Sequence, residues 1–287
     1  MKPQSPVFLA LTIGLVVPSL ASAALTHRWS FNGDLTDSVG GQTAQILDPD
    51  NNPATGGGAT LTGSSVNLAG GVNLESSYVS LGSGLLGTTG TATLELWATQ
   101  QTVQNWGRIF DIGSDATTTG DAGDTFIMSW TQGTDINADR VEYRLANAAP
   151  GGNQGMVGDN TNAPYVLGTE FHIVMTLDNT VPNSTVLTWY SAPSGAATLG
   201  PAQGSFTSTI DIDEFGDNTA WLGRSHWAGD NTATADYNEF RTYDTVLTPA
   251  ELELSHSLGP NTVIPEASLL TMLSIAGCTF ILRRRRR

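Results

Sequence analysis

Apolar and polar residues alternate with a period of two through four well-separated stretches of the chain. These are Leu25-Thr-His-Arg-Trp-Ser-Phe31, Ala92-Thr-Leu-Glu-Leu-Trp-Ala98, Phe171-His-Ile-Val-Met-Thr-Leu177 and Thr185-Val-Leu-Thr-Trp-Tyr190. Successive side chains of a strand point to opposite faces, so this pattern predicts half-buried β-strands. In the third stretch Phe171, Ile173, Met175 and Leu177 share one face, which leaves His172 with Val174 and Thr176 on the other. Glycines and five Asp-Asn pairs, beginning at Asp50, Asp159, Asp178, Asp217 and Asp230, punctuate the pattern. Such pairs favour turns, because their side chains bond nearby backbone and tolerate left-handed geometry. A single helix start stands out. Thr248-Pro-Ala-Glu251 is a capping box with proline at the first helical position, so a short helix through Leu252 and Leu254 should close the domain.

No repeat with a period of 20 to 50 residues, no heptad pattern and no linker interrupts this organisation. One all-β domain over 24–259 is therefore expected, with addresses at 1–23 and 260–287. Only 14% of the residues are charged, and Gly, Thr, Asn and Ser are abundant, which favours strands and turns over long helices.

The two ends have a different character from the middle. Lys2, the apolar run Val7–Val17 and the small-residue pattern Ala21-Ser22-Ala23 form an export signal, with cleavage expected between Ala23 and Ala24. At the other end the turn-like Ile264-Pro265-Glu266-Ala267 precedes 15 uncharged residues, Ser268 to Leu282, and then Arg283 to Arg287. An apolar helix of this length suits a thin or compressed bilayer, and the arginines would hold its end in the cytoplasm. Pro265, Glu266, the apolar stretch and the basic tail together resemble a PEP-CTERM sorting signal. Ala267 stands where that motif has its second proline. The resemblance implies an exosortase partner, membrane attachment, and the envelope or matrix of a Gram-negative-type bacterium that makes exopolysaccharide.

Removing the two addresses reveals how acidic the middle is. Between Ala24 and Val263 six arginines face 26 acids, a balance near −20. Such a field repels nucleic acid and anionic lipid, and is compatible with calcium or neutral glycans. The sole cysteine, Cys278, lies in the apolar tail, so the exported module forms no internal disulfide and must be held by packing or metal.

The opening HRWSFNGDLTDSVGG, the central TATLELWATQ and HIVMTLD, and the closing LGRSHWAGDNTATADYNEFRTYDTVLTPAEL resemble a bacterial laminin-G-like module of the concanavalin A-like lectin/glucanase superfamily. The resemblance spans about Leu25 to Gly259. It implies a jelly-roll sandwich of two antiparallel sheets, with the first strand beside the last. It also suggests that Asp37, after the first strand, and Asp236, opening the last, share a structural calcium.

The superfamily includes retaining glucanases, which place Glu-x-Asp-x-x-Glu or a one-residue-longer form on a strand so that two carboxylates face one sugar about 5 Å apart. No such string occurs. Asp211-Ile-Asp213-Glu214 begins with Asp and has no third acid in register, Glu95 stands alone, and Asp236 and Glu239 point to opposite faces of an extended strand. Nor is there a Gly-x-Ser-x-Gly elbow or a His-Glu-x-x-His zinc motif, so no catalytic residue is assigned. Sugar sites combine aromatic faces, on which C–H groups stack, with polar groups that pair hydroxyls. Trp106 with Arg108, and His226-Trp227 with Asp230, have that mixture. Trp29, Trp97 and Trp189 lie within strands and are expected to be structural. The expected function is that of an exported, envelope-retained surface protein whose lectin-like module binds glycan or contributes to adhesion in an exopolysaccharide matrix. A passive matrix protein and a divergent glycoside hydrolase are the alternatives.

Overall fold

The four alternating stretches all become strands in the computed structural model. It describes residues 24–87, 90–114, 123–135, 140–145, 155–157 (backbone) and 165–264. The export signal with Ala23, the motif Pro265, Glu266 and Ala267, the apolar tail and Asp159 lie outside the described residues.

In chain order the strands are β1 (Leu25–Trp29), β2 (Gln45–Leu47), β3 (Ala59–Leu61), β4 (Val66–Leu68), β5 (Gly71–Val72) and β6 (Tyr78–Gly82). Next come β7 (Thr91–Thr102), β8 (Arg108–Gly113), β9 (Thr125–Ser129), β10 (Arg140–Arg144), β11 (Gly155–Val157) and β12 (Glu170–Asp178). The last are β13 (Thr185–Pro193), β14 (Gly204–Ser208), β15 (Thr219–Leu222), β16 (Asn231–Thr232) and β17 (Thr234–Tyr243), followed by helix α1 (Pro249–Leu258). Among these residues one sheet has eight strands in the order β14-β13-β12-β7-β17-β4-β3, with β1 also on β17. A second has seven, β11-β10-β9-β8-β15-β6-β2. Every pairing is antiparallel. The first strand does lie beside the last, with Arg28 opposite Arg241 and Trp29 opposite Phe240.

The two sheets form a β-sandwich whose core draws on alternate positions of both. Phe171, Ile173, Met175 and Leu177 from β12 meet Phe110, Phe126 and Tyr143 from β8, β9 and β10, with Trp29 and Phe240 at the β1–β17 pair. Truncating one such ring to alanine costs about 3–5 kcal/mol, so packing of this kind stabilises a module that has no disulfide. Trp29, Trp97 and Trp189 are buried, as their strand positions predicted.

The outward face of the eight-stranded sheet is covered by α1. Thr248 accepts from Glu251 N and Pro249 sits at the helix start, as the capping box predicted. Beneath the helix lies a buried polar network. His172 Nε2 is 2.9 Å from Glu95 Oε1, Arg241 Nη1 donates to Glu95 Oε2 at 3.1 Å, and Tyr243 Oη donates to the same oxygen at 3.0 Å. His172 stacks on Trp97 with centroids 4.2 Å apart, and the Arg241 guanidinium lies over the same ring, 4.5 Å from its centroid. Arg241 also donates to Ser255 Oγ in α1 and to Thr262 O beyond it, tying the C-terminal segment to the sheet.

One expectation about this face is corrected. Asp236 and Glu239 share it, because a β-bulge at Asn238 inserts an extra residue, placing Asp236 opposite Thr99 and Glu239 opposite Trp97. Glu239 thereby accepts from Arg28 at 2.7 Å and from Arg241 at 2.5 Å.

Burial alone would raise the pKa of Glu95, but the hydrogen bond and charge of His172 and the charge of Arg241 outweigh it and hold the carboxyl down to about 2. A depressed folded-state pKa contributes stability that is complete above the unfolded value near 4.5 and is lost as pH falls toward 2. The contribution is about 3 kcal/mol. Urea unfolding at a series of pH values should show the wild-type protein losing stability steeply across this window. Glu95→Gln should be less stable at pH 7 and have a shallower slope between pH 4.5 and 2; equal slopes would remove Glu95 from the account.

Candidate functional site

The seven-stranded sheet turns Phe110, Ile112, Phe126, Met128, Val141 and Tyr143 into the core. The alternate residues of the same strands therefore occupy its outward face. On β10 these are Arg140, Glu142 and Arg144, opposite Ser129, Ile127 and Thr125 of β9. Arg108, the first residue of β8, is also opposite Ser129, so its guanidinium and the β10 side chains lie over the same strip of sheet.

Among the described residues two loops wall this strip. The β7–β8 connection carries Trp106 with φ of 57°, a left-handed conformation that is unfavourable for a bulky residue. It is held there by Trp106 N donating to Gly133 O at 2.8 Å and by Arg108 Nη1 donating to Trp106 O at 2.9 Å. The β15–β16 connection brings Trp227 and Asp230. Gly223 starts it at φ of 82°, where an added Cβ would stand 2.3 Å from Leu68 Cδ1, so only glycine fits. Within the loop Ser225 Oγ donates to Asp230 Oδ2 and accepts from Trp227 N. Asn73 Nδ2 donates to the carbonyls of Ser225 and Trp227. Asn231 N donates to Asn105 O at 2.8 Å, which joins the two loops directly.

The result is a pocket of about 270 Å³ lined by Trp106, Arg108, Arg140, Glu142, Arg144, Trp227 and Asp230. Arg108 is buried and links its parts: it donates to Trp106 O, to Ser129 Oγ and to Asp230 Oδ2, and lies 5.5 Å from the Trp227 ring. Arg144 lies 4.6 Å over Trp227 and Arg140 5.4 Å over Trp106, so both indoles carry guanidinium groups against them. Glu142 accepts from Arg140 Nε at 2.9 Å and lies 3.3 Å from Arg144 Nε. Burial raises the pKa of Asp230, against the opposing charge of Arg108.

Four of the five residues proposed from sequence, Trp106, Arg108, Trp227 and Asp230, thus meet in one pocket. His226 turns away from it. Its ring stacks on Trp221 at 4.1 Å, its Nδ1 lies 2.8 Å from Asp111 Oδ1 and its Nε2 lies 2.8 Å from Thr219 Oγ1, so it anchors the loop from behind. Sequence reasoning missed Arg140, Glu142 and Arg144. The available signal was the alternation Arg140-Val-Glu-Tyr-Arg144, which puts three charges on one strand face in a module with six arginines.

The other candidate acids do not gather. Asp37 accepts from the backbone N–H groups of Arg28, Val39, Gly40 and Gln42 and lies 2.7 Å from His27 Nδ1. These bonds hold its pKa down, although burial acts the other way. Asp236 accepts from the amides of Asn67 and Gln101. The two carboxylates share no partner, and donors of N–H type occupy both, which does not fit an oxygen cage for calcium. Among the described residues no group of three or more His, Cys, Asp or Glu side chains is arranged to hold a metal ion. Asp211 precedes a 3₁₀ turn, Ile212–Glu214, so that acidic string is not on a strand.

No protein-family model and no curated protein matches this chain. Solved structures do share its fold. Domain 4 of an extracellular arabinanase from Geobacillus stearothermophilus, in complex with arabinotriose, superposes with a TM-score of 0.54 at 18% identity, over 81% of this chain and 98% of that one. The botulinum neurotoxin serotype G binding domain gives 0.52 at 13% identity over 82% of this chain, and the serotype C1 binding domain 0.51 at 11% over 83%. This chain spans about half the length of those toxin domains.

Because Arg108 joins both tryptophan loops and pairs with the part-buried Asp230 and, at 3.6 Å, with the buried Asp111, Arg108→Met should lower stability by about 3 kcal/mol. Calorimetry of the wild type and variant would show it as a drop in Tm; an unchanged Tm would mean that Arg108 does not hold the loops together.

Proposed function

We propose that the chain is an exported, laminin-G-like surface module that binds a saccharide in the Trp106–Trp227 pocket. The observation that carries this reading is the lining itself. Two partly exposed indoles stand among three arginines and two carboxylates, held in place before any ligand arrives by Arg108, Ser225, Asn73 and Asn231. Preformed pockets with aromatic faces and a few oriented polar groups suit sugars, whose rings stack while their hydroxyls pair. The arabinanase domain, a similar fold in complex with a trisaccharide, supports the choice of ligand class.

Binding is favoured over hydrolysis by the state of the two acids. Glu142 faces an arginine at each oxygen, and Asp230 Oδ2 accepts from Arg108 and Ser225. A retaining or inverting pair needs one carboxyl to donate a proton and the other to attack or activate water. Assays for reducing-sugar release should accordingly stay at background.

Screening the folded module against a glycan array, followed by titration calorimetry, tests the binding reading. At least one saccharide should bind, and Trp227→Ala or Trp106→Ala should weaken it tenfold or more while Tm changes little. Absence of binding across a broad array would leave the passive matrix role; binding insensitive to both substitutions would place the site elsewhere.

Retention in the envelope through an exosortase-type enzyme and the C-terminal segment is part of the same proposal. It is supported by the order Pro265-Glu266, apolar stretch, five arginines. Deleting residues 264–287 should release the module into the medium; a truncated protein that stays with the membrane after signal removal contradicts it.

A further inference from the structure

Between Ala24 and Val263 the chain has six arginines and no lysine. Five of the six pair with carboxylates: Arg28 with Glu239, Arg108 with Asp111 and Asp230, Arg140 and Arg144 with Glu142, and Arg241 with Glu95 and Glu239. Arg224 pairs with no carboxylate of the described residues, although the segment holds 26 acids. It is nevertheless only 6% exposed. Taking a guanidinium out of water without an opposing charge is unfavourable. Burial accordingly pulls the Arg224 pKa below the ordinary arginine value, with only Tyr78 acting the other way.

The side chain is held in place from several directions. Val79, Leu81, Ala220 and Leu222 face the core, so Tyr78 and Trp221, at alternate positions of β6 and β15, belong to the outward face of the seven-stranded sheet. The Arg224 guanidinium lies 4.4 Å from the Tyr78 ring centroid and 4.8 Å from that of Trp221, and the two rings meet edge to face. Its Nε donates to Asn73 Oδ1 at 2.8 Å, and the buried Asn73 donates in turn to the carbonyls of Ser225 and Trp227. The two Nη groups have the Tyr78 hydroxyl beside them but no carboxylate or carbonyl acceptor among the described residues, and neither is sealed from solvent. Cation–π contacts offset part of the cost of burial while leaving these donors unmatched.

We propose that Arg224 forms an oxyanion-binding site, which takes a carboxylate or sulfate group through its two Nη groups. The planar fork presents parallel N–H donors at the spacing of two oxygens of such a group, and the Tyr78 hydroxyl beside it adds a further donor. Asn73 and the two rings fix the guanidinium before the anion arrives, so little side-chain freedom is lost on binding. Tyr78 is the one group that acts on the charge of Arg224, so no neighbouring acid competes with the ligand. Arg224 stands over β6 and β15 and is not part of the Trp106–Trp227 lining. The site is therefore separate from that pocket and independent of what the pocket binds.

The test follows the arginine Nε–H signals of the full-length protein by nitrogen-15 NMR, that of Arg224 being assigned through its contacts with the Tyr78 and Trp221 rings. Sodium sulfate and sodium acetate are titrated at an ionic strength matched with sodium chloride. At least one of the two anions should move the Arg224 signal along a saturating curve, with chloride moving it little. Arg224→Lys keeps the charge and loses the fork, and should weaken calorimetric binding of that anion by about tenfold. The anion should also raise the Tm of the wild type more than that of the variant. The wild-type titration needs no variant, so an Arg224→Lys chain that fails to fold leaves the test intact. Sulfated and carboxylated oligosaccharides identify the source. Binding tighter than that of the free ion assigns the group to a glycan, equal or weaker binding assigns it to the free ion, and either upholds the site. Shifts that grow linearly and match those given by chloride would overturn the proposal and leave Arg224 held for packing alone by Tyr78, Trp221 and Asn73. Saturable binding that is as tight in Arg224→Lys, or that moves other arginine signals and not this one, would equally refute it.

Discussion

Pairing of buried arginines with carboxylates on the outward faces of the two sheets is the constraint on which the rest of this module depends. A sandwich core can be built from alternate apolar positions alone, but the opposite positions of the same strands must then be accommodated. On the eight-stranded sheet Arg241 lies between Glu95 and Glu239 and reaches Ser255 and Thr262, so the closing helix and the segment after it are bound to the sheet by charge. On the seven-stranded sheet Arg108 holds Asp230 and the Trp106 carbonyl. Breaking a buried pair leaves an uncompensated charge, which is far more destabilising than losing a surface salt bridge. In a chain without a disulfide in its module these pairs act as cross-links between segments distant in sequence.

The two faces put the same chemistry to different use. Under α1 the network is closed: Glu95, His172 and Arg241 are fully buried and satisfy one another. Over the seven-stranded sheet no helix among the described residues covers the strip, and the loops stand at its sides. Charges that would otherwise be sealed away therefore line a cavity. The left-handed backbone at Trp106 is consistent with this difference, since strained residues persist where surrounding bonds over-determine them and tend to cluster at binding sites.

Much of the fold was legible from period alone. The face assignment along Phe171 to Leu177, the capped helix at Thr248 and the burial of Trp29, Trp97 and Trp189 all follow from local rules about strands and caps. Asp236 and Glu239 were misassigned because a bulge at Asn238 changes the parity of the strand, and a bulge leaves no mark in a simple alternation. The pocket was half legible. Trp106, Arg108, Trp227 and Asp230 stood out as aromatic and polar residues beside turns, but their meeting depends on pairing between strands far apart in sequence. Arg140, Glu142 and Arg144 lie on a short strand whose partners no local rule identifies. His226 was drawn in by its neighbours; the register of β15 against β8 puts its ring against Trp221 and Asp111 instead.

The central claim is that a sugar ring seats against Trp106 and Trp227. Nitrogen-15 NMR of the indole N–H groups examines it directly, because all seven tryptophans give resolvable probes in one spectrum. Titration with a binding oligosaccharide should shift the Trp106 and Trp227 signals first and most, with Trp29, Trp97, Trp130 and Trp189 nearly still. Shifts confined to other indoles, or a saturated complex in which neither pocket tryptophan responds, would contradict the account.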